Sequence, residues 1–142
     1  MLTTFGVPFD PDAAAVAVNA AVEAGAKLVC VDILDESIRT TWPPHHVVAT
    51  AARLVELPDD REQIRRSVAE WAEAGLPVEH LRVHTPQPIE AIVEVAAKRS
   101  AALVVLGPDR ARFRRRKLRR IARKLRERTS FLLWVAGEEP EL

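Results

Sequence analysis

The chain has 142 residues, 48% hydrophobic and 29% charged, with a net charge of +1. This is one domain's worth of chain, large enough to bury about two-thirds of its unfolded surface. A lone cysteine, Cys30, rules out an intrachain disulfide, and no apolar run reaches the roughly 20 residues of a membrane-spanning helix. The opening MLTTFGVPFD has neither the basic leader nor the apolar stretch of a signal peptide, so a cytoplasmic location is expected.

Taken in order, Leu2–Pro8 reads as a short apolar strand and Pro11–Gly25 as a helix. Asp10 or Asp12 can cap that helix, Pro11 fits its first turn and Gly25 can end it. It is apolar nearly all round, which predicts deep burial. Lys27–Leu34 is almost continuously apolar and rich in β-branched residues, as a central parallel strand should be. Glu36–Leu57 is a long connection carrying Trp42, the adjacent His45 and His46, and a short helical stretch at Val47–Leu57. Long connections of this kind often serve as lids or binding loops.

Pro58 to Gly75 is predicted helical, with Ile64, Val68, Trp71 and Ala72 on one stripe. Val78–His84 alternates as a strand, and Pro88–Arg99 is a helix with Ile89, Ile92, Val93 and Ala96 inward. Ala102–Leu106 is a strand. A basic helix follows, with Leu118, Ile121, Ala122 and Leu125 inward, then a last strand at Phe131–Ala136 and an acidic tail. Alternation of strands and helices predicts an α/β fold: a single-domain, open, five-stranded parallel sheet with helices on both faces, a Rossmann-like three-layer arrangement.

Charge is unevenly divided. Residues 1–100 carry nine Lys or Arg and fifteen Asp or Glu; residues 101–142 carry twelve and five. All twelve of the later cations lie within Arg110–Arg128. In open α/β sheets, ligands bind beyond the carboxyl ends of the strands, where strand order reverses. If the first and fourth strands are neighbours, Asp10 and Asp12 face Gly107, Asp109 and Arg110 across such a crevice.

The basic segment is read either as an anion site or as a solvated surface whose helix Asp109 caps. Sequence-specific nucleic-acid recognition is not expected, because Phe113 is the lone aromatic of the segment. Asp10, Asp12 and Asp109 could hold Mg²⁺, but capping accounts for them; the histidines show no metal-ligand spacing and Cys30 reads as core. No residue pattern supports nucleophilic hydrolysis.

The residues also resemble those of the universal stress protein family over nearly the whole chain. VPFD at Val7–Asp10 is similar to that family's first-strand end, and LVCVDI at Leu28–Ile33 to its second strand. PIEAIVEVAAKRSAALVVLG at Pro88–Gly107 carries the strongest likeness, with IARKL and FLLWVA matching the last helix and strand. The resemblance implies G-x2-G-x9-G-[ST] after the fourth strand, whose glycines admit ATP phosphates. Gly107 matches the first glycine, but Arg110 and Arg120 stand at the second and third, with Ile121 in the hydroxyl position. A register anchored on Ile121-Ala122 puts Arg119-Arg120 at the last pair.

Asp10 matches the family's first-strand aspartate, while Pro11-Asp12 replaces its Gly-Ser; adenine-contacting backbone would fall at Asp32 or Ile33. Three readings follow. The first is a non-enzymatic stress-response or regulatory protein with no bound cofactor. The second holds ATP, another adenine nucleotide or a phosphorylated ligand at Asp10, Ile33, Gly107, Arg110 and Arg120. The third is an adaptor whose basic helix docks an acidic partner, with nucleic acid the less expected one. The resemblance further implies a homodimer through Leu133, Trp134 and Val135 of the last strand.

Overall fold

The computed structural model describes residues 1–36 and 58–138. Among these the chain runs β1 (Leu2–Thr4), α1 (Pro11–Ala24), β2 (Leu28–Asp35), α2 (Pro58–Glu73), β3 (Val78–Thr85), α3 (Pro88–Lys98), β4 (Leu103–Leu106), α4 (Arg115–Arg128) and β5 (Leu132–Val135). Every strand pair is parallel, in the order β3-β2-β1-β4-β5. The predicted five-stranded three-layer architecture is therefore present. Trp42, His45, His46 and the helical stretch at Val47–Leu57 lie outside the described residues.

The core is built from the strands' apolar runs. Leu2, Cys30, Val31, Val104, Val105 and Leu106 are wholly shielded from solvent. Burial pushes the Cys30 thiol up to about 12, so it is a neutral core group. The stripe predicted for α4 is buried as expected, through Leu118, Ile121, Ala122 and Leu125.

Three local expectations change. β1 ends at Thr4, not Pro8. Gly6 adopts φ +75, a left-handed turn that carries Phe5 to Pro8 off the sheet. The Gly6 N–H donates to Asp32 Oδ1 at 2.7 Å, which pins that turn to β2. Secondly, α1 buries only Ala13, Ala17 and Ala21, leaving Val22 63% exposed. Its apolar character all round reflects alanine content, and one face of it packs. Thirdly, Ala72 is exposed, so the stripe of α2 narrows to Ile64 with Val68 and Trp71 beside it.

Candidate functional site

β1 lies between β2 and β4, so strand order reverses beside it and the loops after β1 and β4 meet at the sheet's carboxyl edge. Asp10 begins α1 there. Its Oδ2 accepts from the Ala13 N–H at 3.0 Å, so Asp10, not Asp12, caps the helix, followed by Pro11 in the first turn. Asp10 is 3% exposed. Its second oxygen accepts from Arg110 Nε at 3.0 Å, and Arg110 Nη2 reaches Asp12 Oδ2 at 3.3 Å. The first and fourth strands are neighbours, and Arg110 is brought into direct contact with both Asp10 and Asp12.

The two loops are joined in other ways. Asp10 N–H donates to Gly107 C=O at 2.9 Å, and Asp109 N–H donates to Pro8 C=O at 2.8 Å. Phe9 and Pro108 form an antiparallel bridge. Above them Phe5 stacks on Phe113 with ring centroids 5.1 Å apart, and Phe9 tilts against Trp71 of α2 at 5.6 Å. The loop after β1 is thus held to the loop after β4 by backbone, ring and ionic contacts together.

Gly107 has a packing role of its own. A Cβ at this position would lie 2.6 Å from Ala13 Cβ and 3.0 Å from Leu2 Cδ1. Its missing side chain is what lets α1 lie against the end of β4. Gly137, after β5, similarly faces Arg110: a Cβ there would stand 2.8 Å from Arg110 Cδ. Arg110 therefore rests its stem on the β5 end and its head on the start of α1.

Arg112 makes a contact that sequence reading missed. It forks onto Asp60 in the first turn of α2, with Nη1–Oδ1 at 2.8 Å and Nη2–Oδ2 at 2.6 Å. Asp60 is 3% exposed, so this bidentate pair anchors α2 to the β4–α4 loop. The partners are 52 residues apart. Only Asp60's place in a helix's first turn hinted at a role. Asp32 was likewise hidden within an apolar run; it is fully buried, holding Gly6, with Arg82 Nη1 3.7 Å from its other oxygen.

The remaining expected residues are dispersed. Ile33 is 1% exposed and pairs with Val83, so its side chain belongs to the core. Arg120 is exposed on α4, outside the buried stripe of Leu118, Ile121, Ala122 and Leu125. Asp109 does not cap α4. Its Oδ1 accepts from Ala111 N–H, and its carbonyl accepts from the Arg112 and Phe113 N–H groups, closing a turn before the helix. The helix starts after Arg114, whose side chain has no acceptor to offer as a cap. Among the described residues no group of three or more His, Cys, Asp or Glu is placed to hold a metal. A cavity of about 450 Å³, lined by Val18, Val22, Trp71 and Leu76 among others, opens near the C-terminal end of α1 and does not include the crevice residues.

An open parallel sheet with its loops meeting at the β1/β4 reversal defines a three-layer α/β protein. The universal stress protein family model matches residues 3–135, and the chain belongs to that family. Similar solved structures include a universal stress protein from Burkholderia pseudomallei, at 19% identity and TM-score 0.57, covering 96% of each chain. Another from Archaeoglobus fulgidus has 15% identity and TM-score 0.57, covering 94% of this chain and 96% of that one. The hypothetical protein MJ0577 has 13% identity and TM-score 0.59, covering 99% and 97%. At these identities the likeness is one of fold. No curated protein matches the sequence.

Proposed function

We propose that this universal stress protein is a non-enzymatic stress-response or regulatory protein that does not hold ATP in the manner its resemblance implies. The observation carrying this reading is Arg110. It stands where the second motif glycine would be, and its guanidinium is engaged by Asp10 and Asp12. A phosphate entering the crevice would compete with two carboxylates for one arginine. Gly107, the one motif glycine present, already has Ala13 and Leu2 against it. The residues present do not form the glycine cradle that a triphosphate requires.

Thermal shift with ATP, AMP and inorganic phosphate at low and high salt tests the reading. No nucleotide-specific stabilisation is expected. A saturable, adenine-dependent rise in Tm that survives high salt would overturn it.

The homodimer reading draws on β5, which ends the sheet and has Leu132 73% exposed. An unpaired apolar edge is an association hazard unless a second copy covers it. Trp134 is half-buried, while Val135 is 2% exposed and packs into its own core, so Val135 would contribute backbone only. Replacing Leu132 with Lys should give monomers in sedimentation velocity; an unchanged dimer would place the interface elsewhere.

A further inference from the structure

α4 has three kinds of side chain. Its apolar stripe is buried against the sheet. Its last turn is paired: Arg126 with Glu138, and Arg128 with Glu90. Between them, Arg116, Arg119, Arg120, Arg123 and Lys124 are exposed on the outward face, and among the described residues none has an ion-pair partner. Arg114 and Arg115 add charge at the helix's positive end without a side-chain cap. Like charges along one face repel one another at a cost that a bound polyanion would remove.

The chemistry of this face selects among polyanions. A membrane-surface helix inserts an apolar face, but Leu118, Ile121, Ala122 and Leu125 are already committed to the core. A protein interface centres on apolar or aromatic anchors with charge at the rim, and the outward face has no such anchor. Single-stranded nucleic acid needs exposed rings for stacking; Phe113 is stacked on Phe5 and has Lys117 Nζ 5.4 Å from its centroid. What remains is a convex, arginine-dominated helix, which matches the width of a B-form major groove and the bidentate geometry of phosphate oxygens.

We propose that the outward face of α4, from Arg116 to Lys124, is a sequence-independent docking surface for the phosphate backbone of duplex DNA. Eight residues of rise give a basic edge about 12 Å long, enough for about four phosphate contacts across a groove. The outward face has no Asn or Gln to read bases, so the binding is electrostatic. Four contacts give a slope of about −3.6 in log K against log salt, or about 150-fold weaker binding at ~200 mM than at ~50 mM salt.

The test is fluorescence anisotropy of a labelled duplex of about 20 base pairs with the full chain across that salt range. Micromolar binding at low salt with that slope is expected. Arg116→Gln/Arg120→Gln/Arg123→Gln uses good helix formers and touches no ion pair among the described residues, so its Tm should hold while the slope falls to about −1. Absence of duplex binding at low salt, or a triple variant that binds like the parent, overturns the proposal. So does equal binding to polyglutamate, to phosphatidylserine vesicles, or to the single strand alone.

Discussion

Gly107→Ala separates two explanations of the same glycine. If Gly107 exists to admit a phosphate, alanine there should leave the free protein's stability intact. The packing says otherwise. The added methyl would meet Ala13 Cβ at 2.6 Å, about 1 Å inside a normal carbon–carbon contact, and Leu2 Cδ1 at 3.0 Å. Neither partner yields easily: Ala13 Cβ is fixed to helix backbone, and Leu2 is fully buried.

Overpacking of this kind costs about 1–3 kcal/mol, and the lost glycine entropy of the unfolded chain returns about 0.4–1 kcal/mol. Gly107 is not in the left-handed region, so backbone strain adds nothing. The net loss is about 1–2 kcal/mol; with an unfolding entropy near 0.3 kcal/mol per kelvin for a chain of this length, Tm falls by about 3–7 °C. Calorimetry without ligand reads it directly. In the double variant with Ala13→Gly, part of the loss should return, beyond what the helix penalty of about 1 kcal/mol removes. An unchanged Tm for Gly107→Ala would refute the packing role.

Two further outcomes follow from the ion pairs. Arg112→Ala leaves the buried Asp60 carboxylate without its fork, and should cost about 2 kcal/mol in urea unfolding; adding Asp60→Asn should restore about half of it. No recovery would show that the Arg112 stem matters and its charge does not. Glu79 is held down to about 2 by the hydrogen-bonding Arg99 guanidinium first and Lys27 second. Its folded value is depressed, so its contribution is present above the ordinary carboxylate range near 4.5 and is lost as pH falls toward about 2. Glu79→Gln should flatten that acid limb of the stability curve, and an unchanged limb would remove Glu79 as its source.

The strand and helix alternation was legible because apolar runs and Pro/Gly punctuation mark each element; the strand order was not, and the β1–β4 adjacency entered only as a condition that the structure meets. The Asp10–Gly107–Arg110 juxtaposition was legible only under that condition. What could not be read was long-range: nothing local in the sequence pairs Arg112 with Asp60, or Asp32 with the turn at Gly6. Gly107 was ambiguous in sequence, because a glycine needed for phosphate approach and one needed for helix approach look alike. Asp109 is a good cap by type, yet it does not cap α4, because its acceptors are spent on a preceding turn. Arg120 follows the helix's own geometry outward, whatever its place in a linear motif.

On the proposed reading, Arg110 and Gly107 serve the fold and not a triphosphate. Titration calorimetry of the full chain with ATP and Mg²⁺, at about 150 mM salt to screen the basic helix, tests it most directly. No saturable heat is expected up to about 1 mM ATP. A one-to-one isotherm with micromolar affinity that ATP gives and inorganic triphosphate does not would contradict it.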